Sequence, residues 1–429
     1  MSAIRDAARN AYLRVRGQRV DVQEQSALEV PASNPGPLHV LTGHTRVVSS
    51  LVFVPSTDLV VSGSYDGSRR VWSANKGREV GAQMKNWAQV RAVAVSVDKE
   101  TVAHGGDDGR IVVCNLDTRQ KIIEWNTGYG RIWSLSFSSY GRLASGHEDG
   151  NVVVWNASTG PVGPFKLHDD VRSVAFSSPG DRIATGGADG RLRVVYSHSG
   201  DDVIPAIQAH SGRVVSVVWS PNGQQIISAS SDCTIKFWNS SDGSLLATCQ
   251  GHTDYVYSIA ISSDGEVLAS ASRDKTVRLW STATHQQIGP HLQHPYHLYS
   301  VAISSDGHYL AAGGYDENVY IWNLADIRLE AAKLVASGTN NSTLDQQQQD
   351  PATNSETPKP SSEGNDASKK TDADANKVVP EAPKQPQSET TNADNNAEPN
   401  WLDVSSHLIV TRSKQLTFDA ATCSTGCVG

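Results

Sequence analysis

The side chains best able to do chemistry fall into one recurring frame. His44, Ser62 and Asp66 precede Trp72; His210, Ser228 and Asp232 precede Trp238; His252, Ser270 and Asp274 precede Trp280. Serine, histidine and aspartate are the set used in acyl transfer, where imidazole takes the hydroxyl proton and the carboxylate orients the ring. Such a nucleophile has to stand exposed beside an oxyanion site. A set that recurs in several copies is expected instead as an internal tie, so no catalytic residue is assigned. His291, His294 and His297, with His285 nearby, invite a zinc reading. Zinc needs converging rings, and this stretch reads as a loop rather than a helix that would align them. No phosphate loop, HExxH or paired CxxC occurs, and GHEDG (146–150) reads as a turn. The expectation is therefore no enzyme, no metal and no cofactor.

The frame itself decides the architecture. Asp stands at 66, 108, 149, 189, 232, 274 and 316, at intervals of 42, 41, 40, 43, 42 and 42 residues, which makes seven copies without insertion. In five copies Trp follows six residues after the Asp, as in SYDGSRRVW (64–72), HEDGNVVVW (147–155) and GYDENVYIW (314–322). Upstream, a His leads an alternating run, as in His210 before VVSVVWS and His252 before VYSIAIS. Period-two runs bounded by Asp, Gly and Ser turns predict about four antiparallel strands per copy. A lone meander cannot bury both faces, so the copies must stack on one another.

These motifs resemble the WD40-repeat family, most closely its regular fungal members and the β subunit of heterotrimeric G proteins. The resemblance covers residues 37–325 and implies an all-β, seven-bladed β-propeller. Residues 38–42 (LHVLT) are expected to supply the outer strand that the last copy lacks. Within a blade the family implies a buried chain of His, Ser or Thr, Asp and Trp, for which the donors and acceptors match. Copies 1, 5 and 6 hold the full tetrads named above. Copy 7 has His294, Asp316 and Trp322 with Ala312 in the hydroxyl position, and copy 3 has Ser145, Asp149 and Trp155 with Gly128 in the His position. Copy 4 keeps His168, Thr185 and Asp189 but not the Trp. Copy 2, with Asn86, His104 and Cys114, is the weakest, and its amides should exchange fastest.

The resemblance also implies three positions per copy on the top face. Tyr65, Tyr255, Tyr257, Tyr299 and Tyr315 gather on copies 6, 7 and 1 as an aromatic crescent. Arg91, Arg131 and Arg172 on copies 2 to 4 alternate with Asp107, Glu148 and Asp170 around Trp133, while Arg213 and Arg273 belong to copies 5 and 6. Tyr, Trp and Arg dominate interface energetics. The crescent is expected to anchor a peptide-like segment and the charged arc to orient it.

Beyond the ring, residues 1–36 form an extension in which Arg5, Arg9, Arg14, Arg16 and Arg19 suggest a short basic helix. Residues 326–336 are expected to be a short helix, and 337–400 a disordered acidic linker carrying eleven Asp/Glu against five Lys. Residues 401–429 regain apolar character. The formal charge of −8 lies mostly in that linker, so no global basic field points to nucleic acid. Five scattered cysteines suit a reducing compartment, and no apolar run is long enough to span a bilayer. The reading is a cytoplasmic or nuclear interaction scaffold, a monomeric ring within larger complexes, whose partners are proteins or peptides rather than small molecules, membranes or nucleic acid. A ubiquitin-ligase substrate receptor is the alternative, weakened because Ser or Asn follows every repeat Trp where an adaptor signature needs Trp-Asp-x-Arg. An RNA-associated propeller is the second alternative.

Overall fold

The computed structural model describes residues 36–85 and 88–336. The basic extension, the acidic linker, the C-terminal segment and Asn86 lie outside these residues. Seven antiparallel sheets follow one another around a ring. Blade 1 starts with Val48–Phe53, Leu59–Ser64 and Ser68–Ser73, and every later blade repeats that meander at the spacing of the Asp frame. The innermost strands of blades 2 to 7 are Val90–Val95, Ile132–Phe137, Val171–Phe176, Val214–Trp219, Val256–Ile261 and Leu298–Ile303. Blade 7 takes its outermost strand from the start of the chain: His39–Leu41 pairs antiparallel with the Val319–Asn323 strand, Val40 opposite Tyr320. The first strand thus closes the ring.

Alternation along each strand sends apolar side chains to both faces, and seven buried clusters fill the seven spaces between neighbouring blades. One further device ties the joints. Near the start of the innermost strand, a serine hydroxyl accepts the backbone N–H of the next blade's innermost strand. Ser50 accepts from Val93 at 3.1 Å, Ser134 from Val174 at 3.0 Å and Ser173 from Val217 at 3.0 Å. Ser216 accepts from Ile259 at 3.2 Å, Ser258 from Val301 at 3.2 Å and Ser300 from Leu51 at 2.9 Å. The joint between blades 2 and 3 has Ala92 in that place and so lacks the tie.

A helix, α1 (Leu324–Ala336), starts two residues before the expected 326 because Asn323 caps it, its side chain accepting the Ala325 N–H at 2.9 Å. Leu324, Ile327 and Ala331, at helical spacing, are buried against the ring. Gly289 (φ +65°) lets the helix approach, since a Cβ there would come within 2.9 Å of Ala331.

Candidate partner-binding site

Inside the blades the recurring polar set forms a proton-ordered chain. In blade 1, Trp72 Nε1–H donates to Ser62 Oγ at 2.8 Å, Ser62 meets His44 Nε2 at 2.7 Å, and His44 Nδ1 donates to Asp66 at 2.8 Å. Blade 5 repeats this with Trp238, Ser228, His210 and Asp232 at 2.8, 2.8 and 2.9 Å. Blade 6 does so with Trp280, Ser270, His252 and Asp274 at 2.8, 2.7 and 2.7 Å. Burial by itself would raise the three carboxyls, but hydrogen bonds from the histidines and from the following Ser or Thr outweigh it and hold them well below the usual range. Ser62, Ser228 and Ser270 are 0% exposed, so these hydroxyls cannot meet a substrate.

The divergent blades solve the same problem differently. In blade 3 the histidine comes from within the strand: His147 Nε2 meets Ser145 Oγ at 2.7 Å, and Trp155 donates to the same oxygen at 2.8 Å. GHEDG is thus more than a turn. Blade 4 keeps His168 on Thr185 (2.8 Å) and Asp189 (3.0 Å), with buried Val195 in the Trp place. Blade 7 departs from the implied tie between His294 and Asp316. With Ala312 offering no hydroxyl, the His294 ring packs on Tyr320 and Trp322 at 4.7 and 4.9 Å, and the Tyr320 hydroxyl donates to Asp316 instead. His285 lies edge-on to Phe237 and His297 bonds the Arg273 carbonyl, so these histidines serve separate neighbours. In blade 2, Arg69 reaches across from blade 1, its guanidinium on His104 and 3.7 Å from Cys114. Arg69 is 4% exposed and has no carboxylate partner among the described residues, a buried arginine that the repeat frame gives no reason to expect.

The mouth of the ring is built by a bulge that every blade shares. The ladder between the first two strands slips at the second residue of the innermost strand, at Ser49, Arg91, Trp133, Arg172, Val215, Tyr257 and Tyr299. A bulge re-aims its side chain and spares the rest of the ladder. Six side chains then form two contacting groups that make up one run around the mouth. Tyr257 and Tyr299 stack at 4.8 Å with planes 26° apart. Tyr65 is near enough to bias Tyr299 electrostatically, and Arg91 lies over Tyr65 at 4.8 Å while donating to its hydroxyl at 2.7 Å. Arg91 also lies 4.4 Å from the Trp133 ring, and Arg172 covers that ring at 4.0 Å. The expected crescent and arc are therefore joined through Tyr65 and Arg91.

Around this run sit the remaining predicted residues. Tyr255 meets Tyr257 edge-on at 6.3 Å beneath Arg273, and Tyr315 packs near Tyr296 and His297. Burial pushes the half-buried Tyr257 and Tyr299 hydroxyls upward, so both stay protonated. Arg91 pairs with Asp107, Arg131 with Glu148 at 3.0 Å and Asp107 at 3.4 Å, and Arg172 with Asp170 at 2.5 Å. Arg213 is exposed.

The family model "WD domain, G-beta repeat" matches residues 35–73, 120–156, 160–195, 202–239, 243–281 and 287–323, more than half of the chain. The chain belongs to the WD40 family. The unmatched gap, 74–119, holds the three inner strands of blade 2, where His104 and Cys114 replace the WD40 hydroxyl and Trp. Relatives include chicken WD repeat-containing protein 1, 28% identical over 50% of this chain and 37% of its own length. A ribosome biogenesis protein WDR12 homolog from Nematostella vectensis is 28% identical over 47% of this chain and 46% of its own. A guanine nucleotide-binding protein β subunit from japonica rice is 26% identical over 48% and 59%. The matches thus span less than two thirds of each of these relatives. Among solved structures, the WD40 propeller domain of Doa1 superposes with a TM-score of 0.58 at 26% identity, covering 66% of this chain and 94% of that one.

Proposed function

We propose that this WD40 propeller is a non-catalytic interaction platform that takes a peptide-like segment of a partner protein across its mouth. The Tyr257–Tyr299 stack and the neighbouring Tyr65–Arg91–Trp133–Arg172 stack carry this reading. Aromatic and guanidinium faces held in one stack have lost their rotamer freedom before binding, so a partner spends less ordering them. Tyr, Trp and Arg clustered at a centre are the composition of an energetic hot spot. The arginines of the arc are already paired with carboxylates, which argues against phosphate-backbone binding. The test is affinity capture with the full chain against Tyr257→Ala/Tyr299→Ala. The expected result is loss of most partner recovery, and undiminished recovery would refute the reading.

A further inference from the structure

Between Arg172 of blade 4 and Tyr257 of blade 6 the bulge residue is Val215, whose short side chain leaves an opening in the row of aromatic and guanidinium side chains. Charges around that opening do not balance. Arg91, Arg131, Arg172 and Arg273 each have a carboxylate within 4.0 Å, whereas Arg213 has none among the described residues. Arg213 stands close enough to Arg172 and Asp170 to bias both electrostatically. An exposed guanidinium without a carboxylate partner, standing beside the half-buried Arg172, is the chemistry that recognises an anion.

The geometry points to a carboxylate ligand: the opening over Val215, between Arg172 and Arg213, receives an Asp or Glu side chain of an extended partner segment. The segment's neighbouring apolar or aromatic residue lies on the Tyr257–Tyr299 stack. A phosphoryl dianion is disfavoured because Asp170 and Glu148 stand beside the opening and repel the doubled charge. The inference rests on the mouth being the partner site, and it adds which way the partner runs and what it must carry.

The experiment selects short synthetic peptides from a random pool on the full-length protein, then measures the best binder and its Glu→Gln twin by fluorescence anisotropy. Selected peptides should be enriched in Asp or Glu within two residues of an aromatic or apolar residue. The Glu→Gln twin should bind about tenfold more weakly, the loss of one half-exposed charge pair. Arg213→Gln should weaken the acidic peptide by the same factor and leave the twin unchanged. An acid-free selection, or equal weakening of both twins by Arg213→Gln, overturns the proposal. Tyr257→Ala/Tyr299→Ala separates the two readings. If that variant binds selected peptides normally, the mouth itself is wrong; if it loses them all without acidic preference, only the carboxylate assignment falls.

Discussion

Restoring the missing tie between blades 2 and 3 gives a direct measure of what the serine ring contributes. Ala92 occupies the place held by Ser50 in blade 1, and Leu135 is the blade 3 counterpart of Val93, whose N–H Ser50 accepts. Ala92 is 4% exposed, so a hydroxyl placed there has little access to solvent. Six working examples with N···O distances of 2.9 to 3.2 Å show that the backbone geometry accepts the bond without rearrangement. Ala92→Ser should therefore gain one net hydrogen bond, about 1 kcal/mol, and slow exchange of the Leu135 amide about fivefold where local opening governs exchange. The reverse change, Ser216→Ala, strands the Ile259 N–H and should cost about 1–3 kcal/mol. Amide exchange followed by mass spectrometry or NMR, with urea unfolding alongside, reads both. Unchanged Leu135 exchange in Ala92→Ser, with Ser216→Ala also neutral, would falsify the view that these hydroxyls staple the joints.

Two further outcomes follow from the buried polar chains. Ser228→Ala removes the atom shared by Trp238 and His210, which are 5% and 2% exposed, so two groups lose their partner and unfolding stability should fall by about 2–4 kcal/mol in urea titration. Burial pushes His294 down to about 4, and burial likewise pushes His147 down to about 4, although Asp149 opposes this. An unfolded histidine titrates near 6.5, so the unfolded state binds the extra proton first. The stabilisation is full above about pH 6.5 and is lost as pH falls toward 4. Each ring should account for about 2 kcal/mol between pH 7 and pH 5. His294→Gln should flatten the stability-versus-pH curve by that amount, and a curve as steep as wild type's would count against it.

The ring was legible because its frame is periodic: Asp and Trp at fixed spacing state the number of blades, and residues 38–42 state how the last one closes. What escaped was contact across copies. The serines recur plainly in the sequence, but each one's donor lies on another blade, about one repeat away or, for Ser300, 249 residues away. Arg69 is likewise unreadable from its own copy, since its partners His104 and Cys114 belong to the next. His147 could have been found, because it sits two residues after Ser145 on the same strand and so shares its face. Tyr320, four residues after Asp316, was the matching signal that the carboxylate of blade 7 had another donor. The mouth residues could be enumerated from spacing, but spacing does not show that Tyr65 meets Arg91 of the next blade.

The shared bulge has a consequence for how such a surface changes over time. The seven bulge residues stand where the ladder has already slipped, so each can be exchanged without asking the strands to re-register. The ring works as a seven-character display whose frame is indifferent to the letters. This chain spells Ser, Arg, Trp, Arg, Val, Tyr, Tyr. Rewriting one letter, Ser49 excepted because its hydroxyl donates to the Val90 carbonyl of the next blade at 2.6 Å, should redirect what the molecule recognises while its melting temperature stays where it was.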